Sequence, residues 1–148
     1  MRLDLLGELR LAYSDEGFMR IRPYGSEEGS GWGDGNGSIE GQQLRGSVRW
    51  FNAPHVRSDS TYLPHAHGRI QTHDGATILF LMEGRTPGLG DEQGKQLLRL
   101  VLESEDARYA WVNTAFVVAE GIIREVEPGS GRFAMVANVY RCIHEQQA

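Results

Sequence analysis

Apolar and polar residues alternate along most of this chain in short runs, and apolar stripes of helical period are scarce. In Leu44 to Asn52, Leu44, Gly46, Val48 and Trp50 share one face while Arg45, Ser47, Arg49 and Phe51 share the other. That is strand periodicity. Leu3 to Tyr13 alternates in part and Phe18 to Arg22 more cleanly, with Asp15-Glu16-Gly17 between them. The pattern predicts a hairpin turning at that Gly. Tyr62 to Thr72 and Ala76 to Gly84 flank His73-Asp74-Gly75, an Asp-Gly turn between apolar runs and the strongest local hairpin signal in the sequence.

Three stretches are less direct. Thr77 to Met82 is almost unbroken apolar sequence, which predicts burial on both faces, one inside a barrel and one under a loop, a helix or a neighbouring subunit. Gln96 to Leu102 fits a short helix as well as a strand, and propensity alone favours helix. Tyr24 to Gly37 is Gly-rich but holds Trp32 and Asp34, so it predicts a structured loop or a glycine-bulged strand rather than a linker. Arg108 to Val112, Thr114 to Glu125 and Arg132 to Ile143 predict further strands, with Glu127 to Gly131 as the last hairpin loop.

The expected architecture is all-β: a closed or nearly closed antiparallel barrel of about 8–10 strands with at most one short helix, because closure removes exposed edges. At 148 residues the chain has the length of a single domain, residues 1–148, able to bury its own core. Apolar residues at 40% and charged residues at 24% are ordinary globular values.

Charge narrows the partners. The net charge is −5, and the basic pairs Arg45 with Arg49 and Arg20 with Arg22 are diluted along the sequence by acids or apolar residues. Nucleic acid is therefore not an expected partner. No run approaches the roughly 20 apolar residues of a membrane span, and Arg2, Asp4 and Glu8 sit where a signal peptide needs apolar sequence. No membrane partner and a cytoplasmic location are the resulting expectations. The single cysteine, Cys142, excludes an internal disulfide and suits a small packed hydrophobe.

Several segments also resemble a known family. The run Gly33 to Gly46 is similar to the GxGxVxGxxLxG signature of the domain-of-unknown-function family 3237. Thr72-His73-Asp74-Gly75-Ala76 resembles that family's T-D-D-G-A hairpin, Tyr109 to Asn113 its Y-x-W-L-N segment, and Asn138-Val139-Tyr140 its closing D-V-Y strand. In order, these cover nearly the whole chain. The resemblance implies a compact β-barrel with no established activity or cofactor. One departure stands out: Pro64-His65-Ala66-His67-Gly68 replaces an expected Leu-Asp-Ala-Arg-Tyr stretch, which removes an acidic residue.

Candidate chemistry centres on His65 and His67, two apart on a predicted strand and so on one face. A His-x-His pair suits a metal, but no carboxylate follows closely and Arg69 shares the face. No metal and no cofactor are expected. Imidazole also serves as a general acid or base, with Asp34 or Glu83 to orient it. A solvated polar face or a subunit contact is the plain reading of the same residues.

Trp32, Trp50, Tyr62, Tyr109 and Trp111 can line an apolar pocket or pack a core, and Arg49 or Arg57 can fix an oxyanion or lie in solvent. Asp34, enclosed by glycines, suits an Asx turn equally well. No Gly-x-x-x-x-Gly-Lys loop, Rossmann fingerprint or Gly-x-Ser-x-Gly elbow occurs. These features lead to a cofactor-independent lyase, hydratase or isomerase acting on a small, partly apolar oxygenated molecule. In that scheme His65, His67 and Asp34 are catalytic, and Trp32, Arg49, Trp50, Tyr62, Tyr109 and Trp111 bind substrate in one cavity. A carrier or sensor using the same cavity, and a structural homo-oligomer, are the alternatives.

Overall fold

The computed structural model describes residues 1–147. Ten antiparallel strands run in the order β1 (Arg2–Ile21), β2 (Gly29–Glu40), β3 (Gly46–Asn52), β4 (His55–Val56), β5 (Tyr62–Leu63), β6 (His65–Thr72), β7 (Thr77–Arg85), β8 (Lys95–Glu103), β9 (Phe116–Glu125) and β10 (Phe133–Ile143). Eight of them close a ring, β1-β10-β9-β8-β7-β6-β3-β2, sealed by the pairing of β1 with β2. The two-residue strands β4 and β5 are appended to β2, and Tyr62 bridges back to Thr86 at the end of β7. The all-β barrel expected from alternation and glycine punctuation is the observed fold.

The inside is apolar by alternation. Leu9 and Leu11 of β1, Val48 and Trp50 of β3, Ile78, Phe80 and Met82 of β7, and Leu98, Leu100 and Leu102 of β8 point inward and are buried. On β2 the inward positions from Gly29 to Gly37 are glycines, and Ile39 ends the row. A Cβ at Gly31 would fall 2.1 Å from the Phe18 ring, at Gly33 2.5 Å from the Tyr13 ring, and at Gly35 1.9 Å from the Ala12 carbonyl oxygen and 3.0 Å from Trp50. One wall of the barrel thus gives up its side chains so that Tyr13, Phe18 and Trp50 have room.

Four sequence readings are revised or decided in the fold. The predicted hairpin between Leu3 and Arg22 is one strand, β1: Ser14 to Gly17 form a bulge opposite Asp34, and both halves pair with β2. Gly17, at φ +72°, permits the bulge. Gln96 to Leu102 lies within β8, where pairing with β7 and β9 overrides its helix propensity. Arg108 to Val112 is not a strand but lies in a 3₁₀ segment, Ala107–Asn113, that kinks at Tyr109 and whose first turn is capped by the Asp106 carboxylate accepting from Arg108 N at 2.9 Å. Its buried residues are Tyr109, at the kink, and Val112. The fourth change is on β7, whose outward face is not covered within the chain. Leu79 is 56% exposed.

The 3₁₀ helix lies at one end of the barrel and ties down the β6–β7 turn. Tyr109 Oη donates to Asp74 Oδ1 at 2.8 Å, and Thr72 Oγ1 donates to the same oxygen at 2.7 Å. These hydrogen bonds, together with Arg108, hold the Asp74 carboxyl below its ordinary range. Because the folded value is the lower one, its stabilising contribution is complete above the unfolded carboxylate range, about 3.9, and is lost as pH falls through the folded value. Asp74→Ala should therefore melt below wild type at pH 7, and the gap should narrow as the pH is lowered towards 3. A gap in melting temperature that stays constant with pH would exclude the ionised form as the source of the effect.

Candidate functional site

The end of the barrel away from the 3₁₀ helix is open. There Tyr13 and Phe18 of β1, Asn52 of β3, Tyr62 of β5, Thr86 and Gln96 surround a cavity of about 490 Å³, with Ile123, Glu125 and Phe133 on the far wall. These residues continue the inward rows of their strands. Gln96 precedes Leu98, Leu100 and Leu102, and Asn52 follows Val48 and Trp50. The polar positions thus fall where the apolar rows reach the mouth.

The polar groups are held individually. Asn52 Oδ1 accepts from His65 N at 2.9 Å, which turns its Nδ2 towards Tyr13 Oη at 3.4 Å. Burial pushes the Tyr13 phenol above its ordinary range, and the bond from Asn52 opposes the shift. Tyr62 Oη accepts from Arg20 Nη1 at 3.0 Å, and the same guanidinium lies 5.3 Å from the centre of the Tyr62 ring. The Arg20 side chain is only 11% exposed, its nearest carboxylate oxygen is Glu27 Oε2 at 3.8 Å, and its Nε has no partner. Thr86 exchanges backbone hydrogen bonds with Tyr62 at 2.8 and 2.9 Å, and its hydroxyl accepts from Gln96 Nε2 at 2.8 Å. The neutral donors and apolar walls suit a small, partly apolar molecule with oxygen acceptors.

The structure does not gather the sequence-derived candidates into this cavity. His65 and His67 are exposed on the outside of β6, because the inward positions of that strand are Ala66, Gly68 and Ile70. A Cβ at Gly68 would lie 2.3 Å from Phe80, so the interior there has no room for a larger residue. Outside, His67 stacks on Phe51 with ring centres 5.5 Å apart, Phe51 stacks on Trp32 at 5.2 Å, and His65 Nδ1 lies 3.4 Å from Glu83 Oε1. Glu83, rather than Asp34, accompanies a histidine. Asp34 accepts from Ser14 Oγ at 3.1 Å, beside the β1 bulge. Arg49 is exposed opposite Arg69.

Trp50 is core, 7% exposed, with Nε1 donating to Asn36 O at 3.1 Å. Tyr109 closes the opposite end of the barrel, and half-buried Trp111 lies under Arg141, whose guanidinium carbon is 5.5 Å from its ring centre. Tyr62 alone of the nine candidates reaches the mouth cavity. Sequence reading missed Tyr13, Arg20, Asn52, Thr86 and Gln96. The signal was available at Asn52 and Gln96, polar residues that interrupt an inward apolar row. Among the described residues, no group of three or more His, Cys, Asp or Glu is placed to hold a metal ion. No helix among them is long and apolar enough to cross a membrane.

No family model matches the chain, and no curated protein does. Solved structures do. A protein of unknown function from Clostridium acetobutylicum superposes with a TM-score of 0.79 at 16% identity, over 97% of this chain and 100% of that one. A β-barrel-like protein from Acinetobacter baumannii gives 0.73 at 14% identity, over 95% and 96%. A protein described as an enzyme, from Penicillium herquei, gives 0.62 at 18% identity, over 93% of each. At these identities the likeness is one of fold: the chain is similar to a set of barrel proteins that include one enzyme and several proteins of unknown function.

Proposed function

We propose that the mouth cavity is the active site of an enzyme that moves protons on a small, partly apolar carbonyl compound, as a lyase, hydratase or isomerase does, without a cofactor. The observation that carries this reading is the Tyr62–Arg20 pair. The phenol oxygen already accepts a hydrogen bond from a buried guanidinium, so its own hydrogen is left for a ligand. When Tyr62 gives that proton to a carbonyl oxygen, the phenolate left behind lies against the Arg20 guanidinium at 3.0 Å, closer than the Glu27 carboxylate at 3.8 Å.

Glu125 borders the same cavity, with one carboxylate oxygen accepting from Gly131 N at 3.0 Å and the other available to take the proton from the carbon beside that carbonyl. The products of the step are an enol, a protonated Glu125 and a Tyr62 phenolate, and the reverse transfer at another position completes an isomerisation. This assignment moves the acid–base role from the outward His65 and His67 to the mouth. The enzyme from Penicillium herquei supports it only as a precedent for catalysis on a similar fold.

Membership of the domain-of-unknown-function family 3237 belongs to the same proposal. Of the resembling segments, Thr72 to Ala76 and Tyr109 to Asn113 meet through Asp74 and Tyr109 at the closed end.

The test needs no knowledge of the natural substrate. Wild-type protein in deuterium oxide should catalyse deuterium incorporation beside the carbonyl of those cyclic and aryl ketones that bind it, followed by proton NMR. Ketones that bind without exchanging above the buffer rate would replace the enzyme with a carrier.

A further inference from the structure

From the hydrogen-bonding state of the mouth, and resting on its reading as a ligand cavity, we infer that Gln96 selects the ligand: the bound molecule is a neutral hydroxy-carbonyl compound that gives its hydroxyl hydrogen to Gln96 Oε1. Gln96 is 7% exposed, its Nε2 is committed to Thr86 Oγ1, and its Oε1 has no partner in the protein. Nearly all buried polar atoms in folded proteins are paired, and the rare exceptions carry information.

The Thr86 backbone is held by two hydrogen bonds to Tyr62. The glutamine amide is therefore pinned at one end and unmatched at the other. Its terminal torsion is broad and soft, so a small rotation turns the oxygen towards a donor in the cavity while Nε2 stays near Thr86.

The remaining polar groups of the mouth work in the opposite sense. Tyr13 Oη accepts from Asn52 and Tyr62 Oη from Arg20, so each phenol has its own hydrogen to give, and Asn52 Nδ2 keeps a second one. Three donors and one unmatched acceptor are complementary to a molecule with a carbonyl oxygen at one end and a hydroxyl at the other. The charged residues bordering the cavity are Arg124 and Glu125, one of each sign. Their charges balance, and Arg20 behind Tyr62 is matched by Glu27 at 3.8 Å, which together favour a neutral ligand over an anion or a cation.

A methyl ether has the same skeleton as a hydroxyl compound but no hydrogen to give, so it leaves Gln96 Oε1 unmatched. The loss expected for a buried acceptor left without a donor corresponds to about tenfold to a hundredfold in affinity.

The experiment titrates acetophenone, 4-hydroxyacetophenone and 4-methoxyacetophenone into the full chain by NMR. It compares wild type with Gln96→Leu, which continues the leucine row of β8, and with Gln96→Met as a second apolar replacement. The expected result is wild-type preference for the hydroxyl compound over its ether by about tenfold or more, with that preference gone in both variants while their circular dichroism shows an intact barrel. Equal wild-type affinity for hydroxyl compound and ether overturns the role of Gln96 and leaves the cavity standing. A hydroxyl preference that persists in both variants does the same. Failure of all three probes to shift any resonance of the mouth residues overturns the ligand cavity, and this inference with it.

Discussion

Trp50→Ala should lower the unfolding free energy by about 3–5 kcal/mol, the range for emptying a large aromatic site in a packed core. In a chain of this length that corresponds to a fall in melting temperature of roughly 10 °C or more. The indole fills the space that the glycine wall of β2 leaves open. Tyr13 packs on it edge to face with ring centres 4.7 Å apart, and a Cβ at Gly35 would already sit 3.0 Å from Trp50 Cζ2. The void left by Ala has no neighbour able to fill it, because β2 presents glycine rather than a flexible side chain at that level. Truncation also removes the donor to Asn36 O. Trp50→Phe keeps most of the ring and should recover more than half of the loss. Denaturant unfolding of the three proteins decides the matter, and a cost of under about 1 kcal/mol for Trp50→Ala would show that the indole is not the centre of the core.

Trp50 also shows how far the sequence could be followed. Its alternation with Val48 places it correctly on the apolar face of β3, yet aromatic composition alone could not distinguish a residue that packs a barrel from one that lines its opening. The same limit applies to His65 and His67. Period-two spacing puts them on one face, and that much is correct, but which face points inward depends on the small inward residues Ala66 and Gly68, the latter fitted against Phe80. Small inward residues are a packing signal that appears only once the opposite wall is known.

Glycine spacing carried more than it first suggested. Gly29, Gly31, Gly33, Gly35 and Gly37 recur at every second position, which is the period of one strand face, so a strand bare on its inner side was legible in the sequence. The bulge at Ser14 to Gly17 was not, because Asp-Glu-Gly is turn chemistry in either setting and only pairing with β2 distinguishes a bulge from a hairpin. The 3₁₀ helix was hidden for a similar reason. Tyr109 to Asn113 is an apolar run that suits a strand as well, and the contact that fixes it against the barrel, Asp74 accepting from Tyr109, joins residues that no sequence period links.

Tyr62→Phe should reduce deuterium exchange on bound ketones by about 10²- to 10⁴-fold, the usual contribution of a positioned general acid, while leaving ketone affinity within a few-fold of wild type. The substitution removes one oxygen and keeps the ring that packs at 6.3 Å from Phe18. The backbone bonds of Tyr62 to Thr86 do not involve the hydroxyl, so the β5 strap stays in place. Affinity and rate should then separate: the ketone still fits, but the proton for its oxygen is gone. Arg20→Met tests the partner. It leaves the phenol in place and removes the cation that stabilises the phenolate, so exchange should fall, but less than in Tyr62→Phe. Arg20 also donates to Glu27 O, so circular dichroism must first show an intact barrel in that variant. If both variants exchange at the wild-type rate, the protons move through another group, and Tyr13, buried beside Asn52 in the same mouth, becomes the phenol to replace.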